Sequence, residues 1–470
     1  MITEKRQDFN RLEKEIYSYC CKIGCEMLKN ALESWDEELS ANRDRKKYRH
    51  KGTRRTAIKT VMGTVEYERG VFQQNNENGT KNCVYLLDES MGKSGSGFMS
   101  GMLSEMIAKA ACESSYRSTS RSVSDLTGQA ISHTAAWNVV QELGERMDTV
   151  EKQNANIAAA HKGVGRVETP VLFEEQDGIW LNLQGKDRKK HGPNKEMKVA
   201  IAYDGASAIG KKRYKLTNKV ACAGFESVRE FQKRKEGVVA GTYKIDEIEV
   251  LLLNGDGASW IRQAQTDETV HFQLDVFHVN KAIRTYVKDA AMRKQITKLL
   301  YEKEIDTLLD YIEALSNSVE DESEQQNLLA LLSYFTNNKD GLVPCHRRGL
   351  NLPEPPEGIE YRRMGAMESN IFTLIGNRMK GRRACWSVKG GGNLARLLCL
   401  FFTSKLSETL QNLTNVVLPE KYAEEIEIKM SSKQVALREG KGYNGFKSAF
   451  IPSEMKWLKD LVSIKPLHEI

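Results

Sequence analysis

At 470 residues, with 40% hydrophobic and 28% charged side chains, the chain has enough apolar material for a sizeable core and more than one domain. That balance excludes wholesale disorder. No apolar run reaches membrane-spanning length, the longest (394–403) being broken by Arg396. The opening MITEKRQDFN carries no apolar signal core, and nine cysteines without a zinc-like spacing fit reduced thiols, so a cytoplasmic protein with no membrane partner is expected.

The net charge of +7 is unevenly spread. Residues 1–42 read as helix, with Phe9, Leu12, Ile16, Tyr19, Ile23, Leu28, Leu32 and Trp35 recurring at three- and four-residue steps. A basic run follows: between Arg43 and Lys59 there are nine Lys or Arg and one acid, Asp44. Residues 56–72 alternate around Gly63 with β-branched and aromatic side chains, a hairpin signal, and 73–82 is a polar loop. Residues 100–148 predict three helices: 102–112, 118–126 and, after a turn at Gly128, one capped by Ser132 and running to about Met147. Helix, short turn and a helix opening on Ser132, His133 and Thr134 suit a reader of the DNA major groove, although a plain three-helix packing unit has the same pattern.

From 167 the texture becomes β-rich. Runs 171–174, 179–183, 197–203 and 220–225 predict short strands, 226–235 a helix, and 250–253 and 272–276 further strands. Early strands followed by a β-α-β pattern describe an α/β sheet with antiparallel and parallel parts. Residues 279–335 are helical in pattern, 344–356 is a proline-rich break, and helix returns from Met367. A second acid-free stretch, 371–405, carries Arg378, Lys380, Arg382, Arg383, Lys389, Arg396 and Lys405. One basic stripe is ordinarily a solvated face; two of them point to a polyanion, because each neutralised phosphate releases counterions.

Three acids stand out by setting. Asp177 lies in Val171-Leu-Phe-Glu-Glu-Gln-Asp-Gly-Ile-Trp180, Asp256 at the end of Val250-Leu-Leu-Leu-Asn-Gly-Asp, and Glu368 in Gly365-Ala-Met-Glu-Ser-Asn370. Each has a plain reading: a hairpin turn for Asp177-Gly178, a helix N-cap for Asp256, a first-turn acid for Glu368. Brought together, three carboxylates repel and need cations, and hard divalent ions, two Mg2+ or Mn2+, suit phosphoryl transfer without a covalent nucleophile. Glu174 and Glu175 lie close by, and Glu175 shares the face of Asp177 in an alternating strand.

In this order, with Phe272-Gln-Leu-Asp-Val-Phe-His278, Arg383-Ala-Cys-Trp386 and Gly390-Gly-Gly392, the chain resembles the ISLre-type insertion-sequence transposases, a DDE family related to the Mutator group, over nearly its whole length. That resemblance implies an RNase H-like core with catalytic, metal-holding Asp177, Asp256 and Glu368, and a helical insertion. Asp275 and His278 match a Mutator-type motif, either orienting the site or forming a structural pair at a strand–helix junction. It implies the division 1–98 (helix and basic hairpin), 99–150 (helix-turn-helix-like), 165–278 and 346–410 (core), 279–345 (insertion) and 411–470 (basic helices). The expected partner is double-stranded DNA, gripped by Arg45, Lys46, Lys47, Arg49, Arg54, Arg55, Ser132, His133, Thr134, Arg378, Lys380, Arg382, Arg383 and Lys389, with the protein acting as a homo-oligomer. The activity implied is cleavage at element ends and transfer of 3′-hydroxyls to target DNA; a nuclease or resolvase that joins nothing, and a silent DNA-binding regulator, are the alternatives.

Overall fold

The computed structural model describes residues 9–75, 80–92, 98–160, 165–263 and 269–414. They fall into two units, one of 9–58 with 65–98, the other of 59–64 with 99–414. Most of the expected basic region 411–470 lies outside the described residues. No described helix is long and apolar enough to cross a membrane, and all nine cysteines are free.

The first unit opens with α1 (Phe9–Asn42), whose Leu28, Leu32 and Trp35 face one side as their spacing requires. That side meets Ile58 of β1 (Tyr48–Lys59), Val65 and Tyr67 of β2 (Thr64–Asn75) and Leu87 of α2 (Leu86–Ser90). β3 (Lys81–Val84) pairs antiparallel with β2. The basic run does not precede the hairpin: β1 begins at Tyr48, so Arg49, Arg54 and Arg55 stand on its exposed positions.

The second unit begins, after the two-residue β4 (Phe98–Met99), with α3 (Gly101–Glu113), α4 (Tyr116–Thr127) and α5 (His133–Ala159). Gly128 ends α4 in the left-handed region, φ 67°, and the Ser132 hydroxyl accepts the Ala135 N–H to cap α5, both as the residue types dictate. α5 outruns its predicted end near Met147 by twelve residues because Glu151 and Ala155 are buried against a later helix. The three helices are not a separate body: Val123, Ile131, Ala136 and Val140 share a core with the central sheet.

That sheet has β5 (Val171–Asn182), β6 (Asn194–Tyr203), β9 (Val220–Gly224), β10 (Val250–Gly255) and β11 (Val270–Leu274), in the order β11-β10-β5-β6-β9. β6 runs antiparallel to both its neighbours, β5 and β9, while β10 and β11 run parallel to β5. Between them lie α6 (Gly185–His191), the hairpin of β7 (Ala206–Gly210) and β8 (Arg213–Leu216), the crossover helix α7 (Val228–Ala240) and α8 (Ser259–Arg262). The architecture is mixed α/β.

The strands expected at 171–174 and 179–183 are one strand. Asp177 pairs with Val199 and Gly178 with Lys198, so Asp177-Gly178 is no turn. With glycine there the Glu196 carboxylate lies close over the strand: a Cβ on Gly178 would be 2.0 Å from its oxygen, and the side chain would have to swing aside. The opposite sheet face is covered by α9 (Val276–Tyr286), α10 (Ala290–Glu302), α11 (Ile305–Ser318) and α12 (Glu322–Asn337), whose Ile283, Ile296, Leu308, Ile312 and Phe335 pack on Leu253, Phe272 and Leu274. The described residues close with α13 (Met367–Ile371), a π-helical turn (Phe372–Gly376), α14 (Asn377–Met379), α15 (Val388–Phe402) and α16 (Leu406–Thr414). α15 runs beside α5 so closely that a Cβ on Gly144 would meet Asn393 at 2.4 Å.

Candidate active site

Sheet register brings the first two acids together. Asn254 of β10 is level with Glu175 of the parallel β5. Asp256 is two residues past Asn254 and Asp177 two past Glu175, so the period-two alternation sets both carboxylates side by side on one face. Gly257, φ 87°, then turns the chain away, and Asp256 Oδ1 accepts the Ala258 N–H at 2.8 Å. Asp256 is not the N-cap expected as an alternative: α8 starts from Ala258 without a side-chain cap, and the Asp256 bond closes a local turn ahead of it.

His278 comes from the first turn of α9. One ligand atom each from Asp177, Asp256 and His278 lie within 4.8 Å of one another. Among the described residues nothing hydrogen-bonds the buried Nδ1 of His278. Asp275 is not part of this trio: it is buried, its carboxylate caps α9 by accepting the Phe277 N–H at 2.7 Å, and its other oxygen takes the Asn254 amide at 3.2 Å. The structural role at a strand–helix junction is the one it fills; it orients the helix that carries His278.

Glu368, exposed in the first turn of α13, opens on the same cleft as Asp177 and His278, a space of about 540 Å³. What fixes it there is Glu175. Ala366, at the head of α13, offers no side-chain cap. Instead the fully buried Glu175 carboxylate, reaching from β5, accepts the backbone N–H groups of Gly365, Ala366 and Met367 at 3.1 Å each. It also accepts the Tyr203 hydroxyl at 2.6 Å and the Asn254 amide at 2.9 Å. An anion at orphan N–H groups of a helix start is favoured by both hydrogen bonding and the dipole. Glu175 therefore ties the strand of Asp177 to the helix of Glu368, and Asn254 extends the tie to β10 and to Asp275. Its parity with Asp177 was the one signal for it in the chain.

The electrostatics agree with a crowded acidic floor. Burial is the main cause that pushes Asp177 up to about 6; the Gly178 N–H and the His278 charge oppose it, while Asp256 and Glu368 push the same way. Burial also raises Glu175, against the pull of Tyr203 and the α13 amides, and raises Glu196, with Asp256 adding to the effect.

The expected DNA-gripping residues fare unevenly. Arg45, Lys46, Lys47 and Arg49 are exposed; Arg54 donates to the Tyr85 hydroxyl, and Arg55 pairs with Glu66. Ser132 is spent on its cap, with His133 and Thr134 exposed beside it. Arg378 is half-buried and engaged within the protein: it donates to the Ala111 carbonyl at 2.8 Å and lies over the Tyr116 and Trp386 rings. Lys380 lines the cleft, Arg383 is exposed, and Lys389 pairs with Glu145 at the surface. The Arg382 side chain lies outside the described residues. Arg396 of the same stretch is turned inward onto Asp148 and Glu151, and Lys405 onto Thr242. A further basic group is α6, whose Lys186, Arg188, Lys189, Lys190 and His191 are all exposed. It is pinned beside the 386–388 segment by the Val388 N–H on Asp187 at 2.7 Å.

Comparison with known proteins adds a family. The one described as "Uncharacterised protein family (UPF0236)" matches residues 2–410. The "UPF0236 protein in vanSb 3'region" of Streptococcus gallolyticus is 23% identical over 407 residues, 84% of each chain. "UPF0236 protein TTE2489" of Caldanaerobacter subterraneus subsp. tengcongensis is 23% identical over 355 residues, 73% of this chain and 70% of its own. A third relative from that strain, 23% identical over 328 residues (68% and 64%), bears a name joining eleven designations, from TTE0033 to TTE2212. The family match and these names do not support the expected membership of the ISLre-type transposases, which is withdrawn.

Proposed function

Because the chain belongs to the uncharacterised protein family UPF0236, whose name assigns no activity, we propose its function from the site: a divalent-cation-dependent phosphoryl transferase with an RNase H-like core, which cuts DNA and joins the freed 3′-hydroxyl to a second DNA. The observation that carries this reading is the convergence of Asp177, Asp256 and His278 within 4.8 Å, with Glu368 on the same cleft. The sheet supports it: three antiparallel strands, a crossover helix and two parallel strands, with acids on the central strand, at the end of its neighbour and on a later helix. The donors fit a hard or borderline divalent ion. Two carboxylates and an imidazole nitrogen are within reach of one centre, and the buried His278 Nδ1, with no hydrogen-bond partner among the described residues, fits a ligand set of this kind. Asp177, Asp256 and His278 would hold one ion and Asp177 with Glu368 a second; the imidazole favours Mn2+ beside Mg2+. A bound cation of this kind neutralises the carboxylates and polarises a phosphodiester.

The chain's own residues do the rest. Asp275 and Glu175 orient His278 and Glu368, so the donors are in place before substrate arrives. Lys281 and Lys380 line the same cleft and offer charge to flanking phosphates. A joining step is favoured over plain hydrolysis by the relative whose single name covers eleven designations in one strain, the pattern left by a gene present at many places in one genome. Joining two ends calls for a homo-oligomer.

The test is a labelled duplex carrying the DNA that flanks the gene, incubated with the protein and Mg2+ or Mn2+, and resolved for cut and joined products. Asp177→Asn, Asp256→Asn and Glu368→Gln are each expected to lower cutting by at least about 100-fold while DNA binding persists. Cutting without joined products leaves a nuclease. Full cutting by any of the three variants, or none by the parent in either metal, overturns the proposal.

A further inference from the structure

The cleft above the acidic floor is walled by rings. Trp180, Phe277 and Phe372 line it and are 59%, 45% and 63% exposed. Large aromatic side chains are kept in water at one place when something is to cover them. Their positions are tied to the acids. Phe277 precedes His278, with the two rings 5.3 Å apart and perpendicular, and Lys281, one helical turn on, holds its ammonium 5.9 Å over the Phe277 ring. On the other wall, Glu368, Phe372, Gly376 and Lys380 all line the cleft at four-residue steps, and the π-helical turn at Phe372–Gly376 widens the helix where they need to stay on one face.

Each wall thus carries the same three kinds of group: a metal-binding side chain, an aromatic ring and a lysine. Carboxylates with a cation and lysines suit a chain of phosphates; flat exposed rings beside them suit the faces of bases. In a paired duplex those faces are covered by neighbouring base pairs, and only unpaired or extruded bases can stack on protein rings. We propose that this cleft binds DNA with its bases unpaired at the phosphate to be cut, stacked on Phe277, Phe372 and Trp180. The inference deepens the proposed function and rests on it for the identity of the polymer.

The test uses the full chain carrying Asp177→Asn, so that binding is read without turnover. The probe is a single-stranded DNA of about 20 nucleotides with 2-aminopurine at its centre, against the blunt duplex of the same sequence. Single-stranded DNA is expected to bind with a change in 2-aminopurine fluorescence. Phe372→Ala and Phe277→Ala are each expected to weaken that binding by about 5- to 150-fold and to abolish the signal, with duplex binding unchanged. Phe372→Trp restores it, and unchanged melting curves show that the variants fold. Equal loss on single strand and duplex, or no loss on either, overturns the stacking proposal and leaves the metal-dependent cutting untouched. Intact stacking in a protein that cuts no DNA would instead sink the proposed function alone.

Discussion

Replacing Glu175 is the most informative perturbation that the site offers. Five donors converge on this buried carboxylate: three N–H groups of the α13 start, the Tyr203 hydroxyl and the Asn254 amide. Glu175→Ala strands all five, and at about 1–3 kcal/mol for each unmade buried hydrogen bond the simple sum is about 5–15 kcal/mol. The smaller figure is the realistic one, because water enters the vacated space and the donors are neighbours; about 3–5 kcal/mol is typical of breaking a buried charged network. Glu175→Gln separates shape from charge. Its amide nitrogen must face N–H groups on one side, which costs about 2–3 kcal/mol and loosens α13. Loosening α13 moves Glu368, so Mn2+ affinity is expected to fall about 10- to 100-fold, as for groups that orient ligands. Urea denaturation and calorimetric Mn2+ titration read the two quantities on one sample. If Glu175→Gln unfolds within about 0.5 kcal/mol of the parent and binds Mn2+ as tightly, the account of α13 as a helix held by Glu175 is wrong.

Two further outcomes follow from the same reasoning. Asp177 is raised from 3.8 to about 6 by the fold, so its ionisation is disfavoured there, and its contribution to stability is greatest below pH about 4 and is lost as pH rises through about 6. Divalent ions need the ionised form, so the rise in melting temperature on adding Mn2+ is expected to shrink as pH falls from about 7 to about 5; a gain independent of pH refutes the role of Asp177. Away from the site, Glu151 accepts from the buried Arg234 at 3.0 Å and from Arg396 at 3.1 Å, while Lys389 and Glu145 pair at the surface, 74% and 53% exposed. Glu151→Ala is expected to lose about 3–5 kcal/mol in urea and Glu145→Ala under about 1 kcal/mol; equal losses would contradict the assignment of burial.

Periodicity and residue type by themselves determined the long α1, the hairpin about Gly63, the three helices with Ser132 as a cap, most strands of the sheet and the helices from 279 to 335, since these depend on neighbours within a few positions. They also singled out the three acids by their settings. What local pattern left open was whether Asp177-Gly178 turns the chain, because a glycine inside a strand ladder looks the same in the sequence as a glycine in a turn. The two basic stripes misled in part for a similar reason: Arg378 and Arg396 find their partners on helices more than 200 residues earlier in the chain. Only the tertiary structure decided the roles of Glu175, Asp275 and His278. Parallel pairing of β10 with β5 and the docking of α13 on a buried carboxylate join residues 175, 254, 275 and 365 through contacts that exist once the sheet has formed, and no spacing in the linear chain encodes them.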